Sequence, residues 1–499
     1  MVPSSLARAP SGGVFSKTRL ADIALLLTYA SITSLFVKSA TLLEHIGYHY
    51  ITPGGFPWEK FHPGTIMACF ALALRILAAD NVKAEARRLL ASDPLITLYL
   101  AAIAIAAAHA IVISKSPVTG LVDTLLLPVI LLALTRDLDP RIRRSLALLS
   151  CAIMGLNACI GLAEFLTGWR LVPVVPAGFV MPDPGQAQNS DTDVSVLAAL
   201  SDWRATALLG HPLENAFMTG ALMLCLAAPG ARWIRPGFRF SLLGVSLVAM
   251  VAFGGRSSLV LSVLGVVLFG AAAAARHLAA GSAIPKRGMS IALFVMPAAV
   301  AIILLAWDAG FFDKFVMRFV EDSGSAEARI RMWDMFQPFS MTEILLGPDP
   351  EVVAVQQHLL ALELGIESFW VALTLGYGLI VAGMLFVGLG LLAWRIVSVS
   401  GPGGAAIMIY YFVNASTSTS LSSKTTTFGL VVLLVVLILQ SDRQSGILIP
   451  GVYASPPNGT DSPPQNASPG PKTRRNADTI WNLARVRALA GAIFPVPTR

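Results

Sequence analysis

What most constrains this chain is a succession of long apolar segments joined by short polar ones. A membrane-spanning helix needs about 20 mostly apolar residues. Twelve stretches approach or reach that length, at about 20–37, 63–79, 94–113, 119–135, 145–167, 211–229, 238–254, 257–275, 288–307, 367–394, 404–418 and 427–440. Only 13% of the residues are charged, against roughly 25% in soluble proteins, and the mean hydropathy is +0.70. The chain therefore reads as an all-α, polytopic integral membrane protein with about 12 transmembrane helices. Its first apolar segment has no small-residue cleavage site after it and is expected to be a retained helix.

Charge sets the expected orientation. With the N-terminus inside, two thirds of the 36 Lys and Arg residues fall in inward loops and tails, and Arg75 alone is left within a span. That bias is the one seen in cytoplasmic loops. The expected layout is a cytoplasmic N-terminus (1–19), a transmembrane domain (20–440) with long outer segments at 168–210 and 308–366, and a cytoplasmic tail (441–499). The tail is rich in Pro, Ser, Asn and Gly, which predicts disorder. It ends in IWNLARVRALAGAIF, the pattern of a short amphipathic helix lying on an anionic leaflet. Its NGT and NAS triplets look like glycosylation acceptors but are expected to face the cytoplasm, so they carry little weight.

Several function classes lose support at this stage. The basic excess sits in loops along one side of a membrane, so nucleic acid is not an expected partner. Cys69, Cys151, Cys159 and Cys225 all lie in apolar segments, which argues against disulfides or a zinc site and for inert core residues. Asp191-Thr192-Asp193 has the D-x-D spacing of a cation-bound nucleotide sugar site. It faces outward, where nucleotide sugars are absent, so neither a metal nor a cofactor is expected.

The candidate chemistry lies in four places. In DWRATALLGHPLENAFMTG, Arg204, His211, Glu214 and Asn215 gather at a helix start, where free backbone N–H groups favour an anion. The plainer reading is an arginine at the headgroups beside a capped helix. In FGGRSSLV, Arg256 sits between two spans with almost no loop to solvate it, which suits a polar cavity or an arginine reaching for the headgroups. In EARIRMWDMF, Arg329 and Trp333 share a helix face while Arg331 points away; a solvated amphipathic helix is the alternative. In QQHLLALELGIESFW, His358 precedes Glu363 and Glu367, two acids on one face running straight into a span. The segment 308–366 thus collects most of the polar groups that do not belong in a bilayer.

These residues carry a resemblance. The Arg204 to Asn215 stretch with its Gly-x-Pro helix start and the Gly255-Arg256-Ser257 triplet at a span end come first. A large outer loop follows, reading R-x-R-x-W, then Leu-Gly-Pro, then His358, before a Gly-rich span opening on E-S-F-W. Across about residues 145–395 this order resembles the O-antigen ligase and polysaccharide polymerase superfamily, nearest to its exopolysaccharide polymerase-like members. The resemblance implies a GT-C-like membrane fold in a bacterial inner membrane, both termini cytoplasmic. It also implies metal-independent transfer of a glycan from an undecaprenyl diphosphate carrier to an acceptor hydroxyl on the outer face, alongside other polysaccharide synthesis and export proteins. By the same resemblance Arg204, Arg256 and Arg329 or Arg331 contact the diphosphate, and His358 is the base or positions the acceptor. His211, Glu363 and Glu367 are expected as further substrate contacts. Where many members show another His or Asn with aromatics, this chain continues His358 into ELGIES.

Three other functions remain at the level of sequence. One is ligation to a lipid or protein acceptor. Another is transport of lipid-linked sugar, which favours internal repeats and midplane ionisable groups; no repeat is visible. The third is a non-catalytic part of a polysaccharide synthesis complex.

Overall fold

In the computed structural model the chain is described over residues 17–113, 118–171, 204–281, 331–360, 362, 366–418 and 420–440. In chain order its α-helices are α1 (Lys17–Val37), α2 (Ala40–His45), α3 (Pro63–Ala78), α4 (Val82–Ala86), α5 (Pro94–Val112), α6 (Leu127–Thr135) and α7 (Pro140–Thr167). They continue as α8 (Pro212–Ala227), α9 (Pro236–Phe253), α10 (Arg256–Ala279), α11 (Met341–Leu346), α12 (Pro350–Leu359), α13 (Phe369–Ala415) and α14 (Thr427–Leu439). The described residues contain no strand.

Helices α1, α5, α7, α9, α10 and α13 are each long and apolar enough to cross a membrane. They make this a multi-pass helical membrane protein. α3, α8, α14 and the stretch Leu121–Thr135 are apolar but shorter. Every described helix of the bundle falls close to an expected apolar segment, while segment 288–307 lies outside the described residues. So do residues 172–203 with the D-x-D triplet, Arg318, Arg329, Glu363 and the tail from 441.

Helix α13 covers two expected segments in one element of 47 residues. Straight, such a helix would be about 70 Å long. Instead the indole Nε1–H of Trp370 donates to Ser416 Oγ at 2.9 Å, 46 residues on. The chain doubles back at Gly401, whose φ of 69° is open to glycine. Pro402 follows and cannot continue the ladder of helical hydrogen bonds. The two arms, 369–400 and 403–415, are therefore antiparallel.

Two helices form the centre. All 13 residues of α14 are buried, and α8 is buried from Asn215 to Leu226. A helix apolar all round needs protein or lipid all round, and here it has protein. Cys151 and Cys225 are buried as expected, but Cys69 and Cys159 are exposed on apolar helices. A thiol costs little in contact with lipid, so an apolar segment alone does not assign it to the core.

The helices run alternately, so polar contacts sort into two layers. In one, His62 at the start of α3 meets Lys38 O beyond α1, and Trp370 meets Ser416. In the other, Arg395 pairs with Asp93 at the start of α5, and Trp233 Nε1 donates to Ile438 O at 3.0 Å near the end of α14. The first layer holds the starts of α3, α8, α10, α13 and α14, and with them every described candidate residue.

Candidate functional site

The site is built from backbone upward by one short segment, residues 204–210, which approaches three helices. Glu164, fully buried in the last turn of α7, accepts from Thr206 N at 2.8 Å, Ala207 N at 2.9 Å and Leu171 N at 2.8 Å. Asn157 Oδ1, two turns earlier on the same face of α7, accepts from Leu208 N at 2.9 Å. Ala205 N donates to Ala252 O at 3.2 Å, and Asn215 Nδ2 donates to Thr206 O and to His211 O. A buried carboxylate is tolerated only when it is this fully hydrogen-bonded. Its effect is to fix Arg204 beside the last turn of α9.

That last turn leads directly to Arg256. α9 ends at Gly254 in the left-handed region, φ 69°, and Gly255 precedes α10. A Cβ at Gly255 would overlap the Cβ of Ala216 in the first turns of α8. Glycine there lets the starts of α8 and α10 touch, bringing Arg256, the first residue of α10, to the residues that follow His211. The structure thus joins the Arg204 to Asn215 stretch and the Gly255-Arg256-Ser257 triplet, which lie some 40 residues apart in sequence. The second arm of α13 closes the group: Asn414 Oδ1 accepts from Ser257 Oγ and Ser258 Oγ, both at 3.0 Å, and Tyr410 OH donates to Phe217 O at 3.0 Å.

Positive and negative groups meet at this point, for Glu214 lies in the first turn of α8 beside the two arginines. The N-cap residues of α8 (His211) and α10 (Gly255) contribute no side-chain cap. The same holds for α13 (Ser368) and α14 (Thr426). An uncapped helix start presents N–H groups and the positive end of the helix dipole. Arg204 lies near enough to His211 to act on it electrostatically. Three buried polar atoms, Asn215 Oδ1, Thr219 Oγ1 and Tyr411 OH, have no hydrogen-bond partner. Glu214 stands near Tyr50, Tyr411 and Thr427.

Next to it lies a polar network that the sequence reading did not single out. Asp123, fully buried, accepts from Tyr50 OH at 2.9 Å and His62 N at 3.1 Å. Lys424 Nζ lies 3.7 Å above the Tyr50 ring and donates to Tyr50 O at 2.7 Å and Lys60 O at 2.5 Å. Thr425 N donates to Thr124 Oγ1 at 3.1 Å. Burial drives the Lys424 ammonium down to about 8, with Lys60 pushing the same way and Asp123 opposing. Burial likewise brings His62 down to about 4, so its imidazole is neutral at pH 7. His62 Nδ1 accepts from Gly64 N at 3.0 Å, which leaves the proton on Nε2 to bond Lys38 O at 2.7 Å. The Tyr50 hydroxyl is held well above its ordinary range by burial and by Asp123. The available signals were Asp123 inside an apolar segment and the hydroxyl-rich run STSTSLSSKTTT between two spans.

The remaining candidates sit on the loop side of the same layer. Arg331 is exposed just before Met332, which packs with Met335, Phe339 and Ile366 against Val371 and Leu375 of α13. His358 is exposed in the last turn of α12, and Glu367 lies just before α13, next to Ile366, whose carbonyl accepts from Ser422 Oγ at 2.6 Å. The geometry therefore brings Arg204, His211 and Arg256 together and sets Arg331, His358 and Glu367 on the neighbouring segment. Compared with known proteins, the chain matches no family, no curated protein and no solved structure.

Proposed function

We propose that the protein is a membrane glycan transferase of polymerase type, which moves a glycan from an undecaprenyl diphosphate carrier to a sugar hydroxyl. The observation that carries this reading is the convergence of Arg204 and Arg256 with the uncapped starts of α8 and α10 at one end of an apolar bundle. A lipid diphosphate needs both features, a membrane-embedded path for its chain and a cationic end for its head.

In the proposed step the acceptor oxygen bonds to the anomeric carbon while the bond from that carbon to the diphosphate oxygen breaks. The electron pair leaves with the diphosphate. Guanidinium forks bind such oxygens bidentately and stabilise the developing charge. The acceptor proton passes to a base, for which a histidine is suited; His358 has that role by resemblance, and His211 stands beside Arg204.

The test is polymer synthesis in cells whose own copy is replaced by Arg256→Ala, with membrane levels of the protein measured. A transferase loses polymer and leaves lipid-linked repeats on the outer face. Repeats trapped on the inner face would mean a transporter, and normal polymer would remove Arg256 from the site.

A further inference from the structure

Helices α11 and α12 bury none of their residues, yet they expose Met341, Leu346, Val352, Val355 and Leu359 at 70%, 55%, 45%, 59% and 72%. Val352, Val355 and Leu359 fall within an arc of about 60° on α12, at 100° per residue. On another side of the helix Val353 packs against the Met332 to Leu375 cluster and Gln357 Nε2 donates to Leu362 O at 2.8 Å. The apolar stripe is thus not the face that holds α12 to the protein.

The depth of this pair can be read from helix rise. The turn after α11 is wedged against α13: a Cβ on Gly378, at φ 74°, would overlap the backbone of Leu345 to Gly347. His109 of α5 bonds Leu346 O at 2.8 Å. Gly378 lies 17 residues from Arg395, and His109 lies 16 from Asp93, the ion pair of the opposite layer. At 1.5 Å per residue both put the α11–α12 turn about 25 Å from that layer, close to the edge of a hydrocarbon core about 30 Å thick. The lipid-facing sides of α5 and α13 continue to this level through the exposed Ile111, Val112, Leu379 and Ile380.

We infer that α11 and α12 lie in the membrane interface, with Met341, Leu346, Val352, Val355 and Leu359 seated among lipid chains at the headgroup boundary. The partner is a lipid surface. Glu343 and Asp349 each engage the first turn of a helix, and Glu351 is exposed at the edge of the apolar stripe, about 40° from Val355. The driving force is apolar area, as for other interfacial helices. This placement holds whatever the site catalyses.

The test is a single-cysteine scan of residues 350–359 and Leu346 in full-length protein whose four natural cysteines are replaced by alanine. Each variant carries an environment-sensitive fluorophore and is reconstituted in phosphatidylcholine vesicles with or without brominated chains. Labels at Leu346, Val352, Val355 and Leu359 are expected to lose emission to brominated lipid, and a label at Glu351 to be quenched more by aqueous iodide than they are. Uniform iodide quenching along α12 would overturn the inference. So would stripe positions shielded from both quenchers, which would mean a protein cover. Scanning ten consecutive positions makes the periodicity, and no single variant, the readout.

Discussion

The two ends of the bundle differ in how several of their helix starts are finished. At the end away from the site, α5 and α7 begin on Asp93 and Asp139, whose carboxylates accept from backbone N–H groups of the first turn. Basic groups there are also satisfied locally: Arg75 donates to the carbonyls of Ala133, Leu134 and Arg136, and Arg88 pairs with Glu85 and Asp137. At the site end, α8, α10, α13 and α14 begin without a side-chain cap, and Arg204, Arg256 and Lys424 are added. The sorting is not complete: α9 starts at the far end on Arg235 without a side-chain cap, while at the site end His62 caps α3 and Glu214 lies in the first turn of α8.

The comparison breaks most sharply at Arg256. Arg256→Ala is expected to lower transfer by about a hundredfold to a thousandfold, as for loss of one donor to a developing anion, with the protein still reaching the membrane. Next comes Glu164→Ala, which leaves Thr206 N, Ala207 N and Leu171 N without an acceptor. Loss of about 3 kcal/mol of stability is expected in thermal unfolding of the purified protein, together with impaired transfer as Arg204 loses its support. Tyr50→Phe removes one hydrogen bond to Asp123 and should cost about 1 kcal/mol by the same measurement.

The pH dependence sharpens the contrast. Lys424 titrates near 8 in the folded protein and near 10.4 when unfolded. Its positive charge at the site end therefore disappears as pH rises through 8, and diphosphate affinity is expected to fall there, while Lys424→Met flattens that step. Stability moves the other way: between the two values the unfolded chain binds more protons, so this group's contribution rises with pH. The smallest effect belongs to the opposite end. Arg88 is partly exposed, and Arg88→Ala should change stability by less than about 1 kcal/mol and leave transfer intact.

Much of the fold is written in local sequence. Apolar runs place the helices to within a few residues, and Gly401-Pro402 marks the turn of α13. Arg204 with His211, and Arg256 with its glycines, stand out because a charge with little loop to solvate it needs a reason. The support of the site is not legible in this way. Glu164 acts on a segment some 40 residues later, and Asp123, Thr124 and Lys424 meet across about 300 residues of chain. No periodicity encodes such contacts, since each partner reads alone as an isolated polar residue near a span end. The interfacial face of α12 was likewise hidden, because a solvated and a lipid-seated amphipathic helix share one pattern.

The most direct measurement of the central claim is binding of a polyprenyl diphosphate to the purified protein in lipid nanodiscs, for the wild type, Arg256→Ala and Arg88→Ala. The cationic, uncapped end predicts that Arg88→Ala binds as the wild type does and that Arg256→Ala binds at least about tenfold more weakly, the equivalent of about 1.4 kcal/mol. Equal affinity in all three proteins would contradict it.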